Sequence, residues 1–257
     1  MDEKNFSNYP LGVKRSPIDN RDWRLGAVFP KITLPVKTDN RADMPPFFDQ
    51  GNYPTCAAVT ARNFKRWQEK KDDNLLEELS AMYVYNNRSN SDDGMMNKDL
   101  MTILQKKGIC REPFYPYGSK DAIPAEADGD AFNFRIKNYG QCESLDALKT
   151  ALYVSGPCVM AVPVYNYSER MWYQRPGEFL LGGHDMCLVD YNDEIGKLTY
   201  FNSWRGFGDN GYAYMDYDDF YMAWEFWSSV DMDSFPVDPE PEPDKKGCLK
   251  KIFSFGL

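Results

Sequence analysis

Three residues far apart in the chain have the types needed to turn a thiol into a nucleophile: Cys56, His184 and Asn202. The chain holds one histidine, in the stretch GGHDMCLVDY at 182–191. A lone histidine is more often a structural hydrogen-bond donor than a catalyst, so its expected neighbours decide. Cys56 opens a run whose apolar residues Ala57, Ala61, Phe64 and Trp67 recur every three or four positions, the spacing of one helix face. Thr55 is the expected N-cap, with Pro54 blocking extension backwards. A thiol in a first helical turn feels a partial positive charge that lowers its pKa. A protonated imidazole beside it would lower it further, giving a thiolate–imidazolium pair. Asn202 enters through a hairpin, because NDEIG lies between the strand patterns HDMCLVDY and KLTYFNSW. A hairpin centred on Asp193 sets Asn202 opposite His184, give or take a bulge. An amide there accepts from one ring nitrogen and leaves the other facing a cleft. Alone, Cys56 reads as a buried thiol and Asn202 as a turn-capping amide; the joint arrangement is much harder to obtain by chance.

The chain that must position these residues has 257 of them, 42% hydrophobic and 15% aromatic, which suits one large domain or two lobes sharing a cleft. A formal charge of −9 argues against a nucleic-acid partner. No stretch approaches the roughly 20 apolar residues of a membrane helix, and the acidic N-terminus lacks the apolar core of a signal peptide. The cysteines at 56, 110, 142, 158, 187 and 248 form no C-x-x-C pair, and none is spaced with His184 as a zinc site requires. Free thiols, no metal, no cofactor and a reducing, cytoplasmic setting are expected. Virion association would suit a phage-encoded chain.

Residues 1–46 are irregular and Pro-rich, reading as an extended arm docked on a surface. Helices are expected at 55 onward, at Leu75–Asn87, at Asn97–Lys107 with Gly108 as C-cap, and at Ser144–Ser155. Residues 118–135 read as a polar connection. GPCVMAVPVY, HDMCLVDY and KLTYFNSW read as strands. A helix-rich first half and a strand-rich second half make an α+β chain. From Val237, DPEPEPDKKGCLKKIFSFGL is an acidic Pro-rich spacer and a basic, apolar terminus suited to docking on a partner or an acidic membrane surface.

Four segments in order carry a family resemblance. DQGNYPTCAAVTA resembles the nucleophile segment of papain-like cysteine peptidases, with Gln50 six residues before Cys56. GGHDMCLVDYND resembles that family's histidine strand, FNSWRGFGDNGY its Asn-Ser-Trp segment, and DDGMMNKDLMTILQKKGICREPFYPY the segment after its central helices. The arm's PIDNRDWRL resembles bacterial and phage-type members. The resemblance covers about 45–232. It implies a two-lobed papain-like fold, with a helical lobe at about 47–135, a β-barrel-like lobe at about 136–236 and the site in the cleft between. It implies a peptide or protein substrate cleaved through an acyl-enzyme, with Cys56 as nucleophile, His184 as general acid and base, and Asn202 orienting the ring. Gln50 and the Cys56 amide would form the oxyanion hole. Gly94 and Gly183 would line the substrate cleft, and Trp204 would cover the His–Asn pair.

Departures accompany the match. Tyr53-Pro54-Thr55 and Ala57 flank Cys56 where the family usually has Cys-Gly-Ser and Trp, so its usual disulfide partner is missing. Asp185 and Asp190 replace small residues on the histidine strand, where a carboxylate would raise the His184 pKa or be buried at a cost. Arg205 stands where glycine is usual. The arm is too short for the usual helical prodomain, which makes the full chain the expected working form. The alternatives are a peptidase-fold protein used for binding or scaffolding, and acyl transfer to an amine in place of water.

Overall fold

The structure, a computed structural model, describes residues 6–29 and 31–230. The acidic spacer and basic terminus lie outside the described residues. The chain runs through β1 (Val13–Lys14), α1 (Leu25–Val28), α2 (Cys56–Asp73), α3 (Ala81–Asn86), β2 (Met95–Met96), α4 (Asn97–Lys106), α5 (Ala125–Ala131), β3 (Asn138–Gln141), α6 (Leu145–Val154), β4 (Cys158–Val164), β5 (Gly182–Asn192), β6 (Lys197–Phe201), β7 (Tyr212–Asp216) and β8 (Glu225–Val230).

Helix α2 carries Cys56 at its first position and has Thr55 at its N-cap. The Thr55 side chain does not cap; its hydroxyl lies 2.5 Å from the Tyr117 hydroxyl. Asn74 ends the helix with φ 53°, a left-handed conformation that asparagine tolerates. The helix expected over Leu75–Asn87 is shorter. Ser80 caps α3 by accepting from the Tyr83 amide, and residues 78–80 are tied in extended form to Cys110 and Glu112. The connection at 118–135 contains α5, entered at Pro124. Helices α4 and α6 fall where the periodicity puts them, with Ser144 capping α6.

A six-stranded sheet has the order β3-β8-β4-β5-β6-β7. Its pairings are antiparallel. The expected barrel-like lobe is not found: among the described residues no sheet closes into a barrel. Closure would require β3 to bond β7, but the outer edge of β3 is already taken, Gln141 bridging to Arg24 and its amide donating to the Trp23 carbonyl at 2.8 Å. One face of the sheet packs on α2 through Val159, Ala161, Cys187 and Trp227. The other buries Met160, Val162, Met186 and Leu188 with Trp204. The site lies where the start of α2 meets the start of β5.

Candidate active site

The hairpin that brings Asn202 to His184 is offset from the expected register. A turn centred on Asp193 would set Cys187 opposite Thr199; the observed partner is Phe201, with a bulge between Leu188 and Asp190. The ladder ends at Phe201, and the Asn202 side chain spans the rest. His184 Nε2 and Asn202 Oδ1 are 2.8 Å apart. The Ser203 amide donates to the same oxygen at 2.7 Å, which fixes the amide's orientation. Trp204 stacks on the imidazole with ring centroids 4.2 Å apart. His184 is fully buried, and its Nδ1 has no hydrogen-bond partner.

Cys56 is fully buried as well. Backbone amides of Asp185, Gly12 and Ala57 approach its thiol and favour its charged form. No direct bond joins Cys56 to His184; the contact runs through the next residue on β5. Burial pushes the thiol up to about 12, the Asp185 carboxyl adding to the rise and the three amides opposing it. Burial also pushes His184 down to about 4, against the Asn202 hydrogen bond. Both groups are therefore neutral here, and of the two outcomes open to Asp185 it is the costly burial that is found: the carboxyl is fully buried and pushed up by that burial, with no rise at His184.

Gln50 is buried and held from both sides. Its backbone N–H donates to the Ser203 carbonyl, and its Oε1 accepts from the Ser203 hydroxyl at 2.7 Å. Its Nε2 is thereby turned to donate to Tyr53 O and Pro10 O, each at 3.0 Å. Gly94 has φ +81°, and a Cβ there would stand 2.5 Å from the Gly12 carbonyl oxygen. At Gly183 a Cβ would meet the Val13 carbonyl oxygen at 2.6 Å. Asp190 is satisfied by the amides of Asn40 and Arg41. Arg205 pairs with Asp49 at 2.9 Å.

Sequence reasoning missed what covers the site. The arm's docking surface is the cleft itself. Phe6 and Tyr9 stack on Trp204, with centroids at 5.8 and 5.7 Å. Gly12 accepts from the Met95 amide at 2.8 Å, and β1 pairs with β2 in parallel, Val13 beside Met95. The residues YPLGV carry no periodicity or motif that signals this. The only local hint is Gly12, where a side chain would collide with the Pro54 carbonyl.

The sequence matches the papain family cysteine proteases over residues 34–224. It is 26% identical to xylellain, a cysteine protease from Xylella fastidiosa, whose crystal structure has a TM-score of 0.74 and is covered over 100% of its length by 90% of this chain. Digestive procathepsin L 3 of the Tenebrio molitor larval midgut shares the fold at 18% identity and a TM-score of 0.63, over 78% of this chain and 71% of that one. An uncharacterized peptidase C1-like protein of Acanthamoeba polyphaga mimivirus is 24% identical over 70% of this chain and 68% of its own. These relatives span bacterial, animal and viral sources, wider than the bacterial and phage-type grouping suggested by the arm. With the match covering most of its length, the chain belongs to the papain family of cysteine proteases and is a thiol-dependent peptidase.

Proposed function

We propose that this chain hydrolyses peptide bonds through an acyl-enzyme on Cys56, and that the arm-covered form is latent. The observation that carries the reading is the His184–Asn202 bond at 2.8 Å, which leaves a buried, unpartnered Nδ1 on the strand whose next amide reaches the Cys56 thiol. Once solvent enters, the thiol proton passes to His184 and the thiolate attacks the peptide carbonyl carbon. Gln50 Nε2 and the Cys56 amide stabilise the oxyanion. The C–N bond breaks as the imidazolium protonates the leaving amine. Water, deprotonated by His184, then cleaves the thioester. Asn202 orients the ring, Trp204 shields it, and Gly94 and Gly183 admit substrate backbone.

The arm engages each of these features at once. Pro10 O accepts from Gln50, Gly12 covers Cys56 and bonds the Met95 amide, and Tyr9 covers Trp204. It also runs backwards. A productive peptide places its leaving amine beside His184 and Trp204 and its acyl side along Gly94 and Met95. The arm goes from Trp204 at Tyr9, past Cys56 at Gly12, to Met95 at Val13. Held in that sense, it blocks the thiol without presenting a cleavable bond.

In this reading residues 1–46 are a regulatory arm, 47–236 the catalytic unit with its lobes meeting near 135, and 237–257 a tether to a partner or membrane surface. The described cysteines are all free, which supports a reducing, cytoplasmic setting. No described helix is long and apolar enough to cross a membrane. The arm's PIDNRDWRL and the full coverage of xylellain favour a place among bacterial-type members. The covered thiol suits the scaffolding alternative too. Alkylation by a peptidyl epoxide separates the two: Cys56 labels, and labels faster when the arm is loosened, if the chain is a latent peptidase. No labelling after loosening favours a scaffold.

A further inference from the structure

One phenol joins the two sides of the oxyanion hole. Its donors, the Gln50 side chain and the Cys56 amide, are separated by the loop 51–55, which lies outside the helices and strands. Tyr117 reaches this loop from the segment after the central helices. Its hydroxyl donates to the Gln50 carbonyl at 2.8 Å and lies 2.5 Å from the Thr55 hydroxyl. A phenol has one proton to give. With that proton spent on Gln50, the contact with Thr55 is made by the threonine donating to the Tyr117 oxygen.

Two consequences follow at the start of α2. An N-cap threonine ordinarily accepts from an amide in the first helical turn. Thr55 makes no such bond, and the Ala57 amide approaches the Cys56 thiol instead. The phenol also pins the backbone of Gln50, whose side chain Ser203 holds separately. Tyr117 is itself held firmly. Its amide donates to Glu112 at 2.5 Å, and its ring stands edge-on to Phe48 and Tyr53, with centroids at 4.9 and 5.4 Å. Tyr53 in turn carries the carbonyl to which Gln50 Nε2 donates. Burial raises the Tyr117 hydroxyl above its ordinary range, so it keeps the proton it donates.

We propose that Tyr117 is a positioning residue for the oxyanion hole: one oxygen, bonded to both the Gln50 carbonyl and the Thr55 hydroxyl, sets the spacing of the Gln50 donor from the Cys56 amide. This deepens the peptidase reading above and rests on it. The oxyanion exists only after the thiolate has attacked, so a misplaced donor slows chemistry and leaves substrate binding alone. Alkylation of the thiol by iodoacetamide forms no oxyanion and is indifferent to the spacing.

The test adds Tyr117→Phe to the full chain carrying Phe6→Ala and Tyr9→Ala, which loosens the arm for turnover of a small fluorogenic peptide. The change removes one oxygen and keeps the ring. kcat should fall about 10-fold, the scale of one well-placed hydrogen bond, with KM little changed and Cys56 alkylation within about twofold. Made in a Gln50→Ala chain, the same change should cost about threefold or less, because one of the donors it spaces is gone. A loss from looser folding would be equal in the two backgrounds and would slow or speed alkylation as well. Thr55→Val removes the other hydroxyl and should show the same pattern, several-fold in kcat; it carries the test if Tyr117→Phe lacks a native unfolding transition. Unchanged kcat, equal losses in the two backgrounds, or a matching change in alkylation overturns the proposal while the peptidase reading stands. No turnover by the arm-loosened parent, or turnover indifferent to Gln50→Ala, overturns that reading of the site, and the proposal with it.

Discussion

His184 Nε2 and Asn202 Oδ1 lie 2.8 Å apart beneath the Trp204 ring. The bond fixes which ring nitrogen is left for the thiol, so its loss should slow chemistry more than binding. Asn202→Ala is expected to lower kcat by about 10- to 100-fold with KM little changed, whereas His184→Ala removes activity because nucleophile and base act as a unit. Steady-state kinetics on one small peptide checks both. A rise in KM alone in Asn202→Ala would contradict the orienting role.

Gln50 is positioned by Ser203 on one side and donates into the cleft on the other. Removing one oxyanion donor costs about 3–4 kcal/mol, so Gln50→Ala should drop kcat by about 100-fold or more while leaving the Cys56 alkylation rate within about threefold. Equal losses in alkylation and turnover would mean that Gln50 acts on the thiol and not on the oxyanion.

The arm's grip on Trp204 runs through Phe6 and Tyr9. Replacing both by alanine removes two aromatic contacts, and about tenfold faster Cys56 alkylation is the expected outcome. Iodoacetamide kinetics followed by mass spectrometry at Cys56 reads this directly. An unchanged rate would show that the arm does not limit access.

Burial holds His184 down to about 4, from an ordinary 6.5. A depressed base binds its proton more readily in the unfolded chain. Its contribution is fully present above pH 6.5 and is lost as pH falls toward 4. Wild type should therefore lose up to about 3 kcal/mol relative to His184→Gln across that window. Paired denaturant titrations at pH 7 and pH 4.5 measure the difference. Parallel stability profiles for the two proteins would contradict a buried neutral imidazole.

Much of this was legible in the sequence because local chemistry is written locally. The periodicity after Thr55, the glycine at 108 and Ser144 each place a helix boundary within a residue or two. The turn NDEIG marked the hairpin, but a bulge near Val189 leaves no compositional trace, so the register came out two residues off at Cys187. The two-residue strands β1 and β2 exist only because Gly12 and Met95 meet across 83 positions of chain, a tertiary event without a local pattern. Open-sheet topology was hidden for a similar reason: the arm's Trp23, not a strand signal, occupies the edge of β3.

The central claim is that Cys56 performs peptide hydrolysis once the arm is withdrawn. The most direct measurement is turnover of a small peptide by the Phe6→Ala, Tyr9→Ala chain with and without Cys56→Ala, both checked for native unfolding transitions. The expected result is hydrolysis well above that of the unmodified chain, reduced to background by Cys56→Ala. Turnover that survives Cys56→Ala in a folded protein would contradict the account.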